Sequence, residues 1–137
     1  MQLYGPKVDT VSQQRARLYR LATLGAGVFV HLVVCWTILS IGFMSIEPMQ
    51  FLGLGSLAAA GFVLFSIAIL MEWNLSLEDP DMSLAQMMWA VSIIIMTAYF
   101  VVEFKPVVVL SGLAMIVMGS NRLSRKELMI FSVYSLA

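Results

Sequence analysis

The feature that most constrains this chain is a succession of apolar runs almost free of charge. Leu21 to Met44 carries no acidic or basic side chain apart from His31, neutral by default, and Phe51 to Met71 carries none. Leu84 to Val102 is a third such run. Val107 to Leu123 is a shorter fourth, in which Arg122 can lift its head to an interface. Crossing roughly 30 Å of hydrocarbon takes about 20 helical residues. Within it a helix satisfies its own backbone, and nothing here alternates with the period of two of a barrel strand. The sequence therefore predicts an all-α, polytopic membrane helical bundle. Composition agrees, with 61% hydrophobic and 12% charged residues, against about 25% charged in soluble domains.

Leu128 to Ala137 is apolar too, but half the length of a crossing. We read it as the start of a fifth span in the front part of something longer; the alternative is a short interfacial tail. The expected organisation is a basic cytoplasmic segment over 1–20 and a transmembrane domain over 21–137. The spans lie near 21–44, 51–71, 84–102, 107–123 and, incomplete, 128–137. Lys7, Arg15, Arg17 and Arg20 precede span one, and Arg122, Arg125 and Lys126 follow span four. Between spans three and four there is only Lys105. A cytoplasmic N-terminus puts all but one basic residue inside, so a bacterial inner-membrane location with that orientation follows from the positive-inside rule. Span one is too long for a signal-peptide core and reads as an uncleaved anchor.

Eight basic and eight acidic residues leave no net charge, which argues against a nucleic-acid partner. One cysteine, Cys35, excludes an internal disulfide, and one histidine, His31, excludes a two-His metal or haem site within the chain. There is no phosphate loop, nucleophile elbow or His-Glu-x-x-His. No carboxylate or lysine lies mid-span. The chain carries no self-contained active site and no cofactor of its own by these signs.

The lead Met1–Gln14 is polar, with Gly5-Pro6, and reads as irregular; helix is expected from Ser12, itself a cap. The arginines that follow read as topology anchors or as contacts to anionic headgroups. Glu103–Phe104–Lys105–Pro106 predicts a tight hairpin with Phe104 off helical geometry. The loop from Glu72 to Ser83 is the most individual stretch. Asp79-Pro80-Asp81 predicts a turn near a helix N-terminus, and Ser83 with Gln86 a capping box opening span three. Trp73 and Trp89 suit interfacial positions. The loop is either purely structural or a docking surface for a soluble domain.

His31 and Cys35 lie four apart, on one face of span one. The spacing suits a metal or haem ligand pair, completed by a second chain, or ordinary bundle positions with the imidazole bonded to a neighbouring helix. Ser66, Thr97 and Ser111 are the other polar residues considered for a solvated cavity. Gly55, Ser56, Ala59 and Ala60 form small-xxx-small pairs marking a helix contact within or between chains. The eleven methionines, Met87-Met88 among them, read as adaptable core filling.

Three segments in order carry a family resemblance. They are the basic lead Arg15-Ala-Arg-Leu-Tyr-Arg-Leu-Ala, the loop Asn74-Leu-Ser-Leu-Glu-Asp-Pro-Asp-Met-Ser-Leu-Ala-Gln-Met, and the turn Asn121-Arg-Leu-Ser-Arg-Lys-Glu-Leu. With its span order, the chain resembles the N-terminal membrane region of bacterial diguanylate cyclases of the GGDEF type. The resemblance implies about six helices ahead of a cytoplasmic domain that condenses two GTP into cyclic di-GMP. Magnesium and GTP would belong to that domain, and none of its catalytic motifs lies in these residues. It implies an anchor, a homodimer through transmembrane helices, and a signal-input role for an unidentified ligand. The alternatives are a self-contained small membrane protein, such as a transporter subunit or assembly factor, and a metal- or haem-binding membrane sensor using His31.

Overall fold

The computed structural model describes residues 7–120, 123 and 125–136. Its helices are α1 (Lys7–Ser40), α2 (Pro48–Leu70), α3 (Ser83–Phe100), α4 (Lys105–Ser120) and α5 (Arg125–Leu136), with a 3-10 turn at Trp73–Ser76. No strand occurs among the described residues. Three helices, over Val11–Ser40, Pro48–Leu70 and Ser83–Phe100, are long and apolar enough to cross a membrane. The fold is thus an all-helical bundle with three such spans. With 16 and 12 residues, α4 and α5 reach about 24 and 18 Å, so length does not establish the fourth span or the start of a fifth.

The helix ends differ from the apolar runs for local reasons. Span one stops at Ser40 rather than Met44 because Gly42 takes a left-handed backbone, φ 85°. Gly42 N–H then bonds Leu39 O at 3.0 Å and Phe43 N–H bonds Ile38 O at 3.1 Å, the Schellman closure. At its other end α1 begins at Lys7, so Lys7–Gln14 is helical, not irregular, and Ser12 lies inside the helix, not at its cap. No Gly or Pro interrupts Lys7 to Gln14, and Gln14 is held from across the bundle. The start of the lead, 1–6, lies outside the described residues, as do Asn121, Arg122 and Ser124 in the turn after α4. Pro48 opens α2 at its first position, where its missing N–H costs nothing, and Gln50 Oε1 accepts the Glu47 N–H at 3.2 Å. α3 ends at Phe100 because Val101 pairs with Met44 in an isolated antiparallel bridge. Ser45 N–H donates to Phe100 O at 2.8 Å and Val102 N–H to Phe43 O at 3.0 Å. Phe104 carries φ 60°, as the hairpin requires.

α3 is the central helix, packed against α1, α2, α4 and α5. Val28, Ala58, Ala90, Ile93 and Ile94 form the middle of the core. Leu21, Ile69 and Met82 close it near the basic end, and Cys35, Phe51, Val101 and Val108 near the bridged loops. α5 docks on α3 through Phe131 against Met87 and Val91, and Tyr134 Oη lies 2.6 Å from Ser92 Oγ. Close approach depends on glycines: a Cβ at Gly25 would sit 2.6 Å from Phe62 Cε2. A Cβ at Gly61 would sit 2.7 Å from Trp89 Cδ1, and one at Gly112 would sit 2.6 Å from Ile94 Cγ2. Leu52, Leu57, Leu64 and Leu70 stay exposed along α2. In water such a face would be a liability; in lipid it is the ordinary exterior.

Candidate functional site

Two polar assemblies interrupt the apolar bundle. The first lies inside it. His31 and Cys35, one helical turn apart on α1, both face inward and are buried. His31 Nδ1 meets Ser111 Oγ of α4 at 2.8 Å, and Nε2 meets Thr97 Oγ1 of α3 at 2.8 Å. Cys35 Sγ lies 3.6 Å from Nε2. The imidazole thus bridges three helices. Thr97 also donates to the carbonyls of Ile93 and Ile94, both at 2.9 Å, and Ser111 to that of Val108 at 2.8 Å. Ser66 does not join them; its hydroxyl donates to Phe62 O on its own helix. Among the described residues no group of three or more His, Cys, Asp or Glu side chains converges on a metal-sized site.

The second assembly ties the start of α1 to the loop between α2 and α3. Asp79 Oδ1 accepts the Asp81 N–H at 3.1 Å, and Asp79 O accepts the Met82 N–H at 3.0 Å, so the expected turn forms. Its Asp81 carboxylate then turns toward α1. Arg17 Nε donates to Oδ1 at 2.6 Å and Arg20 Nη1 to Oδ2 at 2.7 Å. Burial alone raises this carboxyl. The hydrogen bond from Arg17 and the charges of Arg20 and Arg17 outweigh that effect and hold it below its ordinary value. Beneath the ion pair, Asn74 is fully buried. It donates to Pro80 O at 2.6 Å and exchanges bonds with the Gln14 amide, which also reaches Ile69 O at 2.9 Å. Arg17 Nη1 adds a bond to Gln14 Oε1 at 2.9 Å.

The expected capping box at Ser83 and Gln86 is not formed. The cap of α3 is Met82, left-handed at φ 50°, with no side-chain cap bond, and Ser83 is the first helical residue. Gln86 is buried and donates instead to Asp81 O at 3.2 Å. The competing event is the Arg17–Asp81 pair, which draws the loop toward α1 and shifts the cap by one residue. Trp73 is exposed, as an interfacial residue would be. Trp89 is half-buried and points into the bundle, edge-on to Phe65 with ring centres 5.9 Å apart. Its indole nitrogen is buried and has no hydrogen-bond partner.

The small residues of α2 divide between two environments. Ser56, Ala59 and Ala60 are exposed and Gly55 is half-buried. Gly55 and Ala59 border an apolar groove of about 320 Å³ whose far wall is Ala22, Gly25 and Ala26 of α1. Gln14 and Asn74 are the members of the polar assemblies that sequence reasoning did not single out. Their one visible signal is that amides beside apolar spans need partners. The chain matches no family model, no curated protein and no solved structure.

Proposed function

We propose that this chain is the membrane-anchoring, dimerising and signal-input region of a bacterial inner-membrane diguanylate cyclase of the GGDEF type, its catalytic domain lying outside these residues. The observation that carries the reading is the ion pair of Asp81 with Arg17 and Arg20. It joins two of the three segments that resemble the family, the basic lead and the acidic loop, at one end of the bundle. By the positive-inside rule that end is cytoplasmic, as is the N-terminus. In this reading α4 is the fourth crossing, returning the chain to the inner side, and α5 opens a fifth. The exposed Ser56, Ala59 and Ala60 supply the face on which α2 meets a second copy. A signal acts by binding one helix packing better than another. Two GTP-loaded domains must meet for condensation, so packing sets the rate, and magnesium and GTP act only in that outer domain.

The reading frame beyond codon 137 tests this directly. An in-frame GGDEF domain whose membrane preparation makes cyclic di-GMP from GTP is the expected result. A stop codon, or a continuing frame encoding no such domain, overturns it.

A further inference from the structure

We infer that the groove between α1 and α2 is a binding site for one anionic phospholipid, an acyl chain lying in the groove and the phosphate at Arg15. The groove exists because both walls are built of small residues, Ala22, Gly25 and Ala26 on α1 and Gly55, Ala58 and Ala59 on α2. Such residues ordinarily let membrane helices close on each other. Here the Phe62 ring takes the space of a Cβ at Gly25, 2.6 Å from it. Contact is made ring to backbone at that level, and a gap of about 320 Å³ stays open beside it. The residues lining it, Trp89 of α3 among them, bring no charge and no hydroxyl, which suits a hydrocarbon tail.

Dimensions select the occupant. From Ala22 to Leu32, the limits of the α1 wall, the helix rises about 15 Å, the depth of one leaflet of a hydrocarbon core roughly 30 Å thick. The groove begins just past Arg20, the last charged residue before the span, so it runs from the interface toward the bilayer centre as a lipid tail does. A helix 10–12 Å across would displace on the order of 1,000 Å³ over that length, well beyond the space available. A second copy can cover the groove but not fill it. Charge selects the headgroup. Arg15, Tyr19, Ala22 and Ala26 follow at spacings of four, three and four, and so share one face of α1. Arg15 and Tyr19 are both exposed. Arg17 and Arg20 are committed to Asp81, whereas Arg15 has no carboxylate partner among the described residues. A guanidinium at a membrane surface attracts a phosphodiester, its stem can fold back toward the interface, and Tyr19 lies at the level where aromatic rings collect. The inference rests on the arginine end lying among headgroups, not on a catalytic domain elsewhere.

The test places the full chain in nanodiscs and reads the fluorescence of Trp89, with Trp36→Phe and Trp73→Phe removing the other two tryptophans. Lipids brominated on the acyl chain quench an indole they touch. Brominated phosphatidylglycerol should quench Trp89 at about fivefold lower mole fraction than brominated phosphatidylcholine, each diluted with the other lipid unbrominated, the effect of one basic residue at such a surface. Ala26→Leu fills the groove from the α1 side and should relieve the quenching. Thr23→Leu, on an exposed part of α1 outside the groove, should not. Arg15→Gln should bring the two lipids to parity while the groove still takes a tail. Ala26 is away from the α2 face given to a second copy, so the two readings fail separately. Quenching unchanged by Ala26→Leu, the mark of annular lipid only, overturns the proposal. So does equal quenching by the two lipids in the wild-type groove, a preference that survives Arg15→Gln, or a Trp89 shielded from both lipids by a second copy.

Discussion

At the scale of single residues, the imidazole of His31 is the most exacting feature of the core. Thr97→Val keeps the volume but leaves Nε2 facing a methyl group. We expect it to destabilise the bundle by about 1 kcal/mol, read as an earlier midpoint on titration from lipid micelles into denaturing detergent. Ser66→Ala, which removes only a bond within its own helix, should stay within about 0.5 kcal/mol of wild type. Equal effects of the two would show that the interhelical bond adds nothing. The pairing of His31 with Cys35 on one face was legible from their spacing, because helical periodicity is local. Thr97 and Ser111 could be picked out as polar side chains in apolar runs. Their convergence on one ring depends on how three helices are offset along their axes, and no short-range pattern encodes that. The same limit hid Gly61 and Gly112, whose role exists only opposite Trp89 and Ile94.

At the scale of elements, hydropathy located the helices but not their ends. Residues 41–44 are as apolar as the helix before them, yet Gly42 closes α1. Gly42→Ala meets no atom within 4 Å, so its effect is conformational alone. It should cost about 1 kcal/mol and fray the last turn of α1, visible as faster amide exchange at Phe43. The loop before α3 has a pH signature of definite sign. Because the Asp81 carboxyl is held below its ordinary value, its contribution is complete above the unfolded aspartate pKa, about 3.9. It fades as pH falls further, through the folded value. Trp73 fluorescence, reporting the loop, should therefore be steady at neutral pH and change under acid, whereas Asp81→Asn should remove that transition. The turn at Asp79–Asp81 was readable from residue type. The partner of its last carboxylate was not, since Arg17 and Asp81 are distant in sequence and equally suited to water.

At the scale of the whole molecule, the excess of apolar surface is consistent with a membrane as solvent, and three helices among the described residues meet the length it demands. Association is the quantity to measure here. Ala59→Leu places a bulky side chain on the exposed small-residue face of α2 and should lower crosslinking between copies in native membranes severalfold, with helix content unchanged. Unaltered crosslinking would remove α2 as the contact. The two ends of the bundle are also held by different means. At one end the turns after α1 and α3 are stitched by paired main-chain amides and carbonyls, with Phe43 stacked edge-on against Phe104 at 5.0 Å. At the other, two arginines grip the Asp81 carboxylate above the buried Asn74 and its Gln14 partner. Acid, which discharges a carboxylate and leaves main-chain hydrogen bonds untouched, should therefore loosen the arginine end before the stitched one.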